Sequence, residues 1–203
     1  MGSYQQTRLW LLRHAPVKSA YIYGQQDVPA DLKQPQAFRG LADQLPSDPA
    51  VISSDLKRCV ETAERLGFEK YETSPSIREQ HFGSWQGLTY EQARIADPVF
   101  YDQFWQKPEL SRPPNGESFK DVSERSTAFL TDLLAPERAE DDVLLVTHAG
   151  VIRAIIAHFL EIPLARALSL AVEPLSLTRF TIYQNNDSLS VQADWINRAP
   201  VLV

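Results

Sequence analysis

The chain has 203 residues, 43% of them hydrophobic, and a formal net charge of -6. That apolar content suffices for one compact domain with a real core and excludes a chain disordered by composition. The negative balance speaks against nonspecific nucleic-acid binding, which needs many Lys and Arg contacts to phosphates, although a few arginines focused in one cleft can still attract a small anion.

The single cysteine, Cys59, rules out an internal disulfide and offers no thiolate zinc site. The opening residues, Met-Gly-Ser-Tyr-Gln-Gln, carry no cationic region followed by an apolar stretch, and no apolar run reaches membrane-spanning length. A cytoplasmic chain with no membrane partner is therefore expected. Met1-Gly2 is not read as a myristoylation start, because Thr7 lies outside the usual spacing. With no repeat and no low-complexity linker, residues 1–203 are read as one domain.

Residues 9–12, 50–52 and 143–146 are short unbroken apolar runs, the pattern of strands buried on both faces in a parallel sheet. After the second run, Leu56, Cys59, Val60, Ala63 and Leu66 form one apolar helical stripe, with Ser54 and Asp55 as candidate caps and Gly67 where a stop belongs. Residues 84–116 differ, with weak periodicity, four prolines and the cluster Phe100, Tyr101, Phe104 and Trp105. This stretch is expected to be a small helical insert, a lid or specificity element, whose aromatics form its own core rather than ligand contacts. Phe119, Val122, Phe129, Leu130 and Leu133 make a second stripe, with Ser118 and Asp121 as a capping box and Pro136 beyond its end. Residues 151–160 are apolar nearly all round, as in a helix packed on a sheet. Residues 177–183 and 189–195 predict late strands, read as a hairpin around Asn185-Asn186-Asp187. Strand followed by helix, repeated, gives an α/β fold: a mostly parallel central sheet between two helical layers.

Arg13-His14 ends the first run, and His148 ends the 143–147 stretch ahead of a helix. In open α/β sheets ligands bind beyond the carboxyl ends of strands, where helix N-termini also favour anions. Arg58, in the first turns of a helix after a third such strand, reaches the same rim, and Ala149-Gly150 lets the backbone come close. Each residue also has an ordinary explanation. A lone His is more often structural, Arg58 could pair with Glu61 or Thr62 on its helix, and Arg13 could be a solvated strand end. The coincidence of two histidines and two arginines at one end of three strands favours a site.

Leu11-Leu12-Arg13-His14, then Ser53-Ser54-Asp55-Leu56-Lys57-Arg58-Cys59-Val60-Glu61-Thr62-Ala63, then Val146-Thr147-His148-Ala149-Gly150, resemble the successive signatures of the histidine phosphatase superfamily, the phosphoglycerate-mutase-like fold. Between them, Arg78-Glu79-Gln80-His81-Phe82-Gly83-Ser84-Trp85-Gln86-Gly87 resembles the segment carrying that family's acid. The resemblance implies a phosphatase without metal or cofactor. His14 would be the nucleophile, and Arg13, Arg58 and His148 (the last as imidazolium) would surround the transferring phosphoryl group. Glu79 would act as general acid and then base. His81 is placed behind the site, on the same side of a strand as Glu79, and His158 on a helix as a packed or exposed residue.

The departures narrow the resemblance. Arg13-His14-Ala15-Pro16 replaces the usual Arg-His-Gly, and Ala20 stands where many members have Asn, so that Ser19 or a backbone N–H would have to replace that phosphate contact. Mutase-type paired arginines are not evident in Leu110-Ser111-Arg112-Pro113-Pro114. Tyr23-Gly24-Gln25-Gln26-Asp27-Val28-Pro29 and Pro113-Pro114-Asn115-Gly116-Glu117-Ser118-Phe119 resemble the alpha-ribazole phosphatase branch. That branch implies a small phosphorylated metabolite, alpha-ribazole 5'-phosphate or its cobamide, with Gln25 as a substrate contact. Gly24 and Gly116 are read as turn formers, and Glu117 also as a first-turn helix residue facing the dipole. A mutase, a broad-specificity phosphatase and a non-catalytic phosphoester binder stay open as alternatives. The oligomeric state is open too, a homodimer included.

Overall fold

The structure is a computed structural model and describes residues 5–135, 140–185 and 188–202. Four strands form the parallel part of one sheet: β1 (Gln5–Arg13), β2 (Ala50–Ser54), β3 (Glu72–Ser74) and β4 (Asp142–Thr147). The order across the sheet is β3-β2-β4-β1-β5-β6, where β5 (Leu177–Gln184) and β6 (Leu189–Arg198) complete it as an antiparallel hairpin. β5 lies antiparallel to β1, so the sheet is mixed at one edge.

Alternation along β1 explains why helices cover both faces. Leu9 and Leu11 pack with Val143 and Leu145 on one side, while Trp10 and Leu12 pack with Leu144 and Val146 on the other. The first side receives α5 (Phe119–Leu133) and α6 (Ala149–Phe159) through Phe119, Val122, Leu130, Val151 and Ile155. The second receives α1 (Pro35–Ala42) and α2 (Lys57–Arg65) through Phe38, Leu41, Cys59 and Ala63. The result is the three-layer α/β/α arrangement read from the sequence.

Register decides where the site lies. Arg13 pairs with Thr147 and Ser53 with Val146, so β1, β2 and β4 end level with one another. His14, Ser54 and His148 thereby emerge along one rim.

The capping box of α5 is present, with Ser118 accepting from the Asp121 amide and Asp121 from the Ser118 amide. Gly67 follows α2 with a φ of 91°, the left-handed stop that glycine adopts without strain. The caps expected for α2 are different. Its N-cap is Leu56, without a side-chain cap bond; Ser54 Oγ accepts from the Leu56 amide, before the helix begins, and Asp27 from a distant loop accepts from the Lys57 amide at 2.6 Å. Asp55 instead forms a two-point ion pair with Arg78. Residues 79–81 form no strand, so the alternation that put His81 beside Glu79 does not apply. Pro136, Asn186 and Asp187 lie outside the described residues, as does Met1-Gly2.

Residues 84–116 contain two helices, α3 (Tyr90–Ala96) and α4 (Pro98–Gln106). They form a satellite core of their own, in which Trp85, Ala93 and Phe104 pack with Ile22 from the loop after β1. A short α7 (Leu164–Ala167) follows α6. No helix among the described residues is long and apolar enough to cross a membrane.

Candidate active site

His14 is 2% exposed and sits one residue past β1. Its Nδ1 lies 2.6 Å from the Ala15 carbonyl. A carbonyl only accepts, so Nδ1 carries the proton and Nε2 presents a lone pair. Arg58 Nε donates to that Nε2 at 3.3 Å. Burial first, and then the charges of Arg58 and Arg13, push His14 well below its usual pKa, against the opposing pull of the Ala15 carbonyl. The ring is therefore neutral at physiological pH. Thr62 on α2 fixes its neighbour: the Thr62 hydroxyl donates to the Arg58 carbonyl and accepts from the Ala15 amide at 2.9 Å.

Arg58 is fully buried and lies 4.9 Å over the Tyr23 ring. Its remaining nitrogens donate to the carbonyls of Gly24 and Gln26 at 2.6 and 3.0 Å, tying the loop after β1 to α2. Neither Glu61 nor Thr62 takes its guanidinium. Arg13 donates to the Val172 carbonyl through one terminal nitrogen, while its Nε is buried with no acceptor.

His148 is fully buried, with its ring centroid 5.1 Å from that of His14. Its Nε2 lies 2.9 Å from Ser54 Oγ and 3.4 Å from Cys59 Sγ. Burial leads, followed by Arg58 and His14, in pushing it well below its usual pKa. The ring is thus neutral in the free site, and the imidazolium expected from the sequence is a state of the phosphate-bound site. Burial also pushes the Cys59 thiol up, so this cysteine packs as a neutral side chain.

Glu79 reaches the rim from the segment after a short 3₁₀ turn at Pro75–Ile77. Its Oε1 accepts from the Gln80 amide at 3.0 Å and its Oε2 from the Gly150 amide at 3.3 Å. A Cβ on Gly150 would stand 2.2 Å from Oε1, so any side chain here would push the carboxylate aside. The Glu79 carbonyl is held by Gln25 Nε2 at 2.9 Å and by Arg125 at 3.0 Å. Glu117 closes this support by accepting from Arg125, Gln25 and the His81 amide. Gln25 therefore acts as a clamp on the acid's backbone and does not line the cavity. Glu117 is a hub of side-chain bonds more than a helix-dipole partner. His81 accepts from the Gly83 amide, behind the site as read, and His158 is exposed on α6.

The rim opens into a cavity of about 460 Å³ lined by Arg13, Glu79, Gly150, Arg153 and, from the loop and insert, aromatics including Tyr23 and Trp105. Ser19 and Ala20 line it too, with the Ser19 hydroxyl accepting from the Tyr21 amide at 3.1 Å. Arg112 does not line it and is committed to Asp121. Sequence reading missed Arg153 and Arg125, and named Thr62 and Tyr23 without giving either its role here. Of these only Arg153 carried a usable signal, three residues after Gly150 on the same helix face. Among the described residues, no group of three or more His, Cys, Asp and Glu could hold a metal ion.

This geometry has known relatives. A glucosyl-3-phosphoglycerate phosphatase of Mycobacterium tuberculosis is 35% identical over 57% of this chain and 56% of its own length. A metal-independent phosphoserine phosphatase of Arabidopsis thaliana is 38% identical over 52% of the chain and 46% of its own length. The chain thus spans about half the length of these curated relatives. The solved structure of a mycobacterial glucosyl-3-phosphoglycerate phosphatase superposes with a TM-score of 0.79 at 28% identity, covering 96% of this chain and 100% of that one. The family model of the histidine phosphatase superfamily (branch 1) matches residues 9–194, and the chain belongs to that superfamily.

Proposed function

We propose that this chain is a phosphomonoesterase that passes the phosphoryl group of a small metabolite through His14. One observation carries the reading: Nδ1 is committed to the Ala15 carbonyl at 2.6 Å, so a buried, neutral ring offers an unprotonated Nε2 beside two arginines. On substrate binding, Arg58 Nε exchanges Nε2 for a phosphate oxygen. The Nε2 lone pair then attacks phosphorus while the ester P–O bond breaks and its electron pair leaves on the alkoxide oxygen. Protonated Glu79 gives that oxygen its proton. Water attacks the phosphohistidine, the Glu79 carboxylate takes the water's proton, and the electron pair of the P–N bond returns to Nε2. Arg13, Arg58 and His148 stabilise the charge of the transferring group, each donor contributing about 3 kcal/mol. His148 takes a proton from solvent and becomes a cation only once the dianion offsets its burial and the charges of Arg58, Arg125 and Arg13.

Two leaving groups have support. The aromatic wall of the cavity and the two loops around Gln25 and Glu117 favour alpha-ribazole 5'-phosphate or the corresponding cobamide phosphate. The names of the relatives favour glucosyl-3-phosphoglycerate or phosphoserine, both of which carry a carboxylate. The commitment of Arg112 to Asp121 leaves no arginine pair on the insert for a mutase-type grip.

His14→Ala is expected to lower phosphate release from p-nitrophenyl phosphate by more than about a thousandfold, while EDTA leaves the wild-type rate in place. Full activity in that variant ends the mechanism. A panel holding alpha-ribazole 5'-phosphate, phosphoserine, glucosyl-3-phosphoglycerate, sugar phosphates and nucleotides, compared by kcat/KM, ranks the leaving groups. Isomer formation from 3-phosphoglycerate without phosphate release would make the protein a mutase instead.

A further inference from the structure

Arg153 follows Gly150 by three residues on α6, so the two share a helix face about 4.5 Å apart along the axis. Gly150 abuts the Glu79 carboxylate, and Arg153 lines the cavity just beyond it. Its Nε donates to the Leu170 carbonyl at 2.8 Å, while the Val172 carbonyl takes Arg13 at 2.5 Å. One short segment, residues 170–172, therefore anchors two guanidiniums of the same cavity, Arg153 through Nε and Arg13 through a terminal nitrogen.

Neither arginine has a carboxylate within ion-pairing distance among the described residues; the ion pairs there involve other arginines, such as Arg78 with Asp55 and Arg125 with Glu117. The charges that bear on Arg153 are Glu79 and Glu173, which favour its cation, and Arg13, which opposes it. Among the described residues its two terminal nitrogens have no hydrogen-bond partner, which leaves them to a ligand. Two like charges lining one cavity, neither of them in an ion pair among the described residues, give that cavity a preference for anions. The transferring phosphoryl group accounts for Arg13. Nothing in the chemical step accounts for Arg153, which lines the cavity together with the acid.

We infer that Arg153 anchors a second anion, a carboxylate carried by the leaving group of the substrate. The guanidinium fork, fixed from behind by Leu170, fits a carboxylate at two points. This rests on the phosphatase reading and narrows it: the preferred phosphoester has an acidic leaving group, which a neutral nucleoside such as alpha-ribazole lacks. The aromatic wall then holds whatever lies beyond the carboxylate.

The test uses the full chain and two substrates of matched size, 3-phosphoglycerate and glycerol 3-phosphate, which differ in carboxylate against hydroxymethyl. Wild type is expected to favour 3-phosphoglycerate in kcat/KM. The ratio between the two should fall about 30-fold in Arg153→Met and recover in part in Arg153→Lys, which keeps the charge and loses the fork. Equal losses on both substrates would overturn the inference, as would a wild type with no preference. A selective loss confined to fructose 1,6-bisphosphate overturns the carboxylate in favour of a second phosphoryl group. Calorimetric titration of both ligands into His14→Ala, which lacks the nucleophile, reads the same preference without turnover and without altering Arg153. If wild type hydrolyses neither ester, the phosphatase reading falls, and the calorimetric preference still decides Arg153.

Discussion

The rim of the sheet and the 84–116 insert meet at the same cavity with opposite construction. At the rim, His14, Arg58 and His148 are 2%, 0% and 0% exposed, and their positions are fixed by hydrogen bonds to backbone and hydroxyl groups. In the insert, Trp85 and Phe104 are buried in a small separate core, while Tyr90 and Trp105 present 51% and 46% of their surface beside the cavity. The rim is therefore over-determined and the cavity's far wall is not. Preorganised groups suit a phosphoryl group of constant shape, whereas a wall of half-exposed rings on its own scaffold can change without disturbing the chemistry.

The sharpest way to break the rim alone is Gly150→Ala. The added carbon would stand 2.2 Å from Glu79 Oε1, so the carboxylate must swing out of place. A displacement of about 1 Å at a reacting group is expected to lower kcat about 100-fold, with phosphorylation of His14 slowed in single turnover and KM little changed. The insert is untouched by this change. If Gly150→Ala keeps the wild-type kcat, the acid is not where the structure puts it.

The second test is acid. Burial holds both rim histidines, in the folded chain, well below the usual histidine pKa of 6.5. The unfolded chain therefore binds more protons than the native one as pH drops below about 6.5, and stability falls with it. Their contribution is complete above about 6.5 and is lost as pH falls toward the lowered native values. Asp55, held down chiefly by its hydrogen bond to Arg78, starts from 3.8 and acts only in more acidic solution. Between these two windows the rim histidines dominate. Tm measured from pH 8 to pH 4.5 should decline below about 6.5 in wild type and decline less in a His14→Asn, His148→Asn double variant. Parallel curves would mean that the two rings are not buried neutral.

How much of this was legible beforehand follows the same division. The rim could be read because β1, β2 and β4 are continuous apolar runs whose ends carry Arg13, Ser54 and His148, and parallel pairing forces those ends level. The helix stripes of α2 and α5 were clear for the same reason: one face is buried against the sheet and the other is wet. Three features were not legible. The α2 cap comes from Asp27, thirty residues away, and no local pattern announces a distant carboxylate. The support for Glu79 comes from Gln25, Glu117 and Arg125, three polar residues whose meeting depends on tertiary folding. The helices of the insert, seven and nine residues long, are too short and too evenly mixed for a strong period.

The smallest expected effect tests the insert directly. Aromatics there were expected to be core, and the structure divides them by exposure: Phe104 and Trp105 both line the cavity and touch edge-on at 5.0 Å between ring centroids, but Phe104 is 2% exposed and Trp105 46%. Phe104→Ala should destabilise the insert by about 3 kcal/mol, as for any buried ring. Trp105→Ala should leave Tm within a degree or two and lower kcat/KM for p-nitrophenyl phosphate about fivefold through KM, because a half-exposed ring contributes about 1 kcal/mol to a stacked ligand. The two substitutions are adjacent in sequence, which makes their contrast the measurement. If Trp105→Ala costs as much stability as Phe104→Ala, the wall is part of the insert's core and cannot vary freely. If it costs only affinity, the rim keeps its chemistry while one exposed ring sets which leaving groups stay long enough to react.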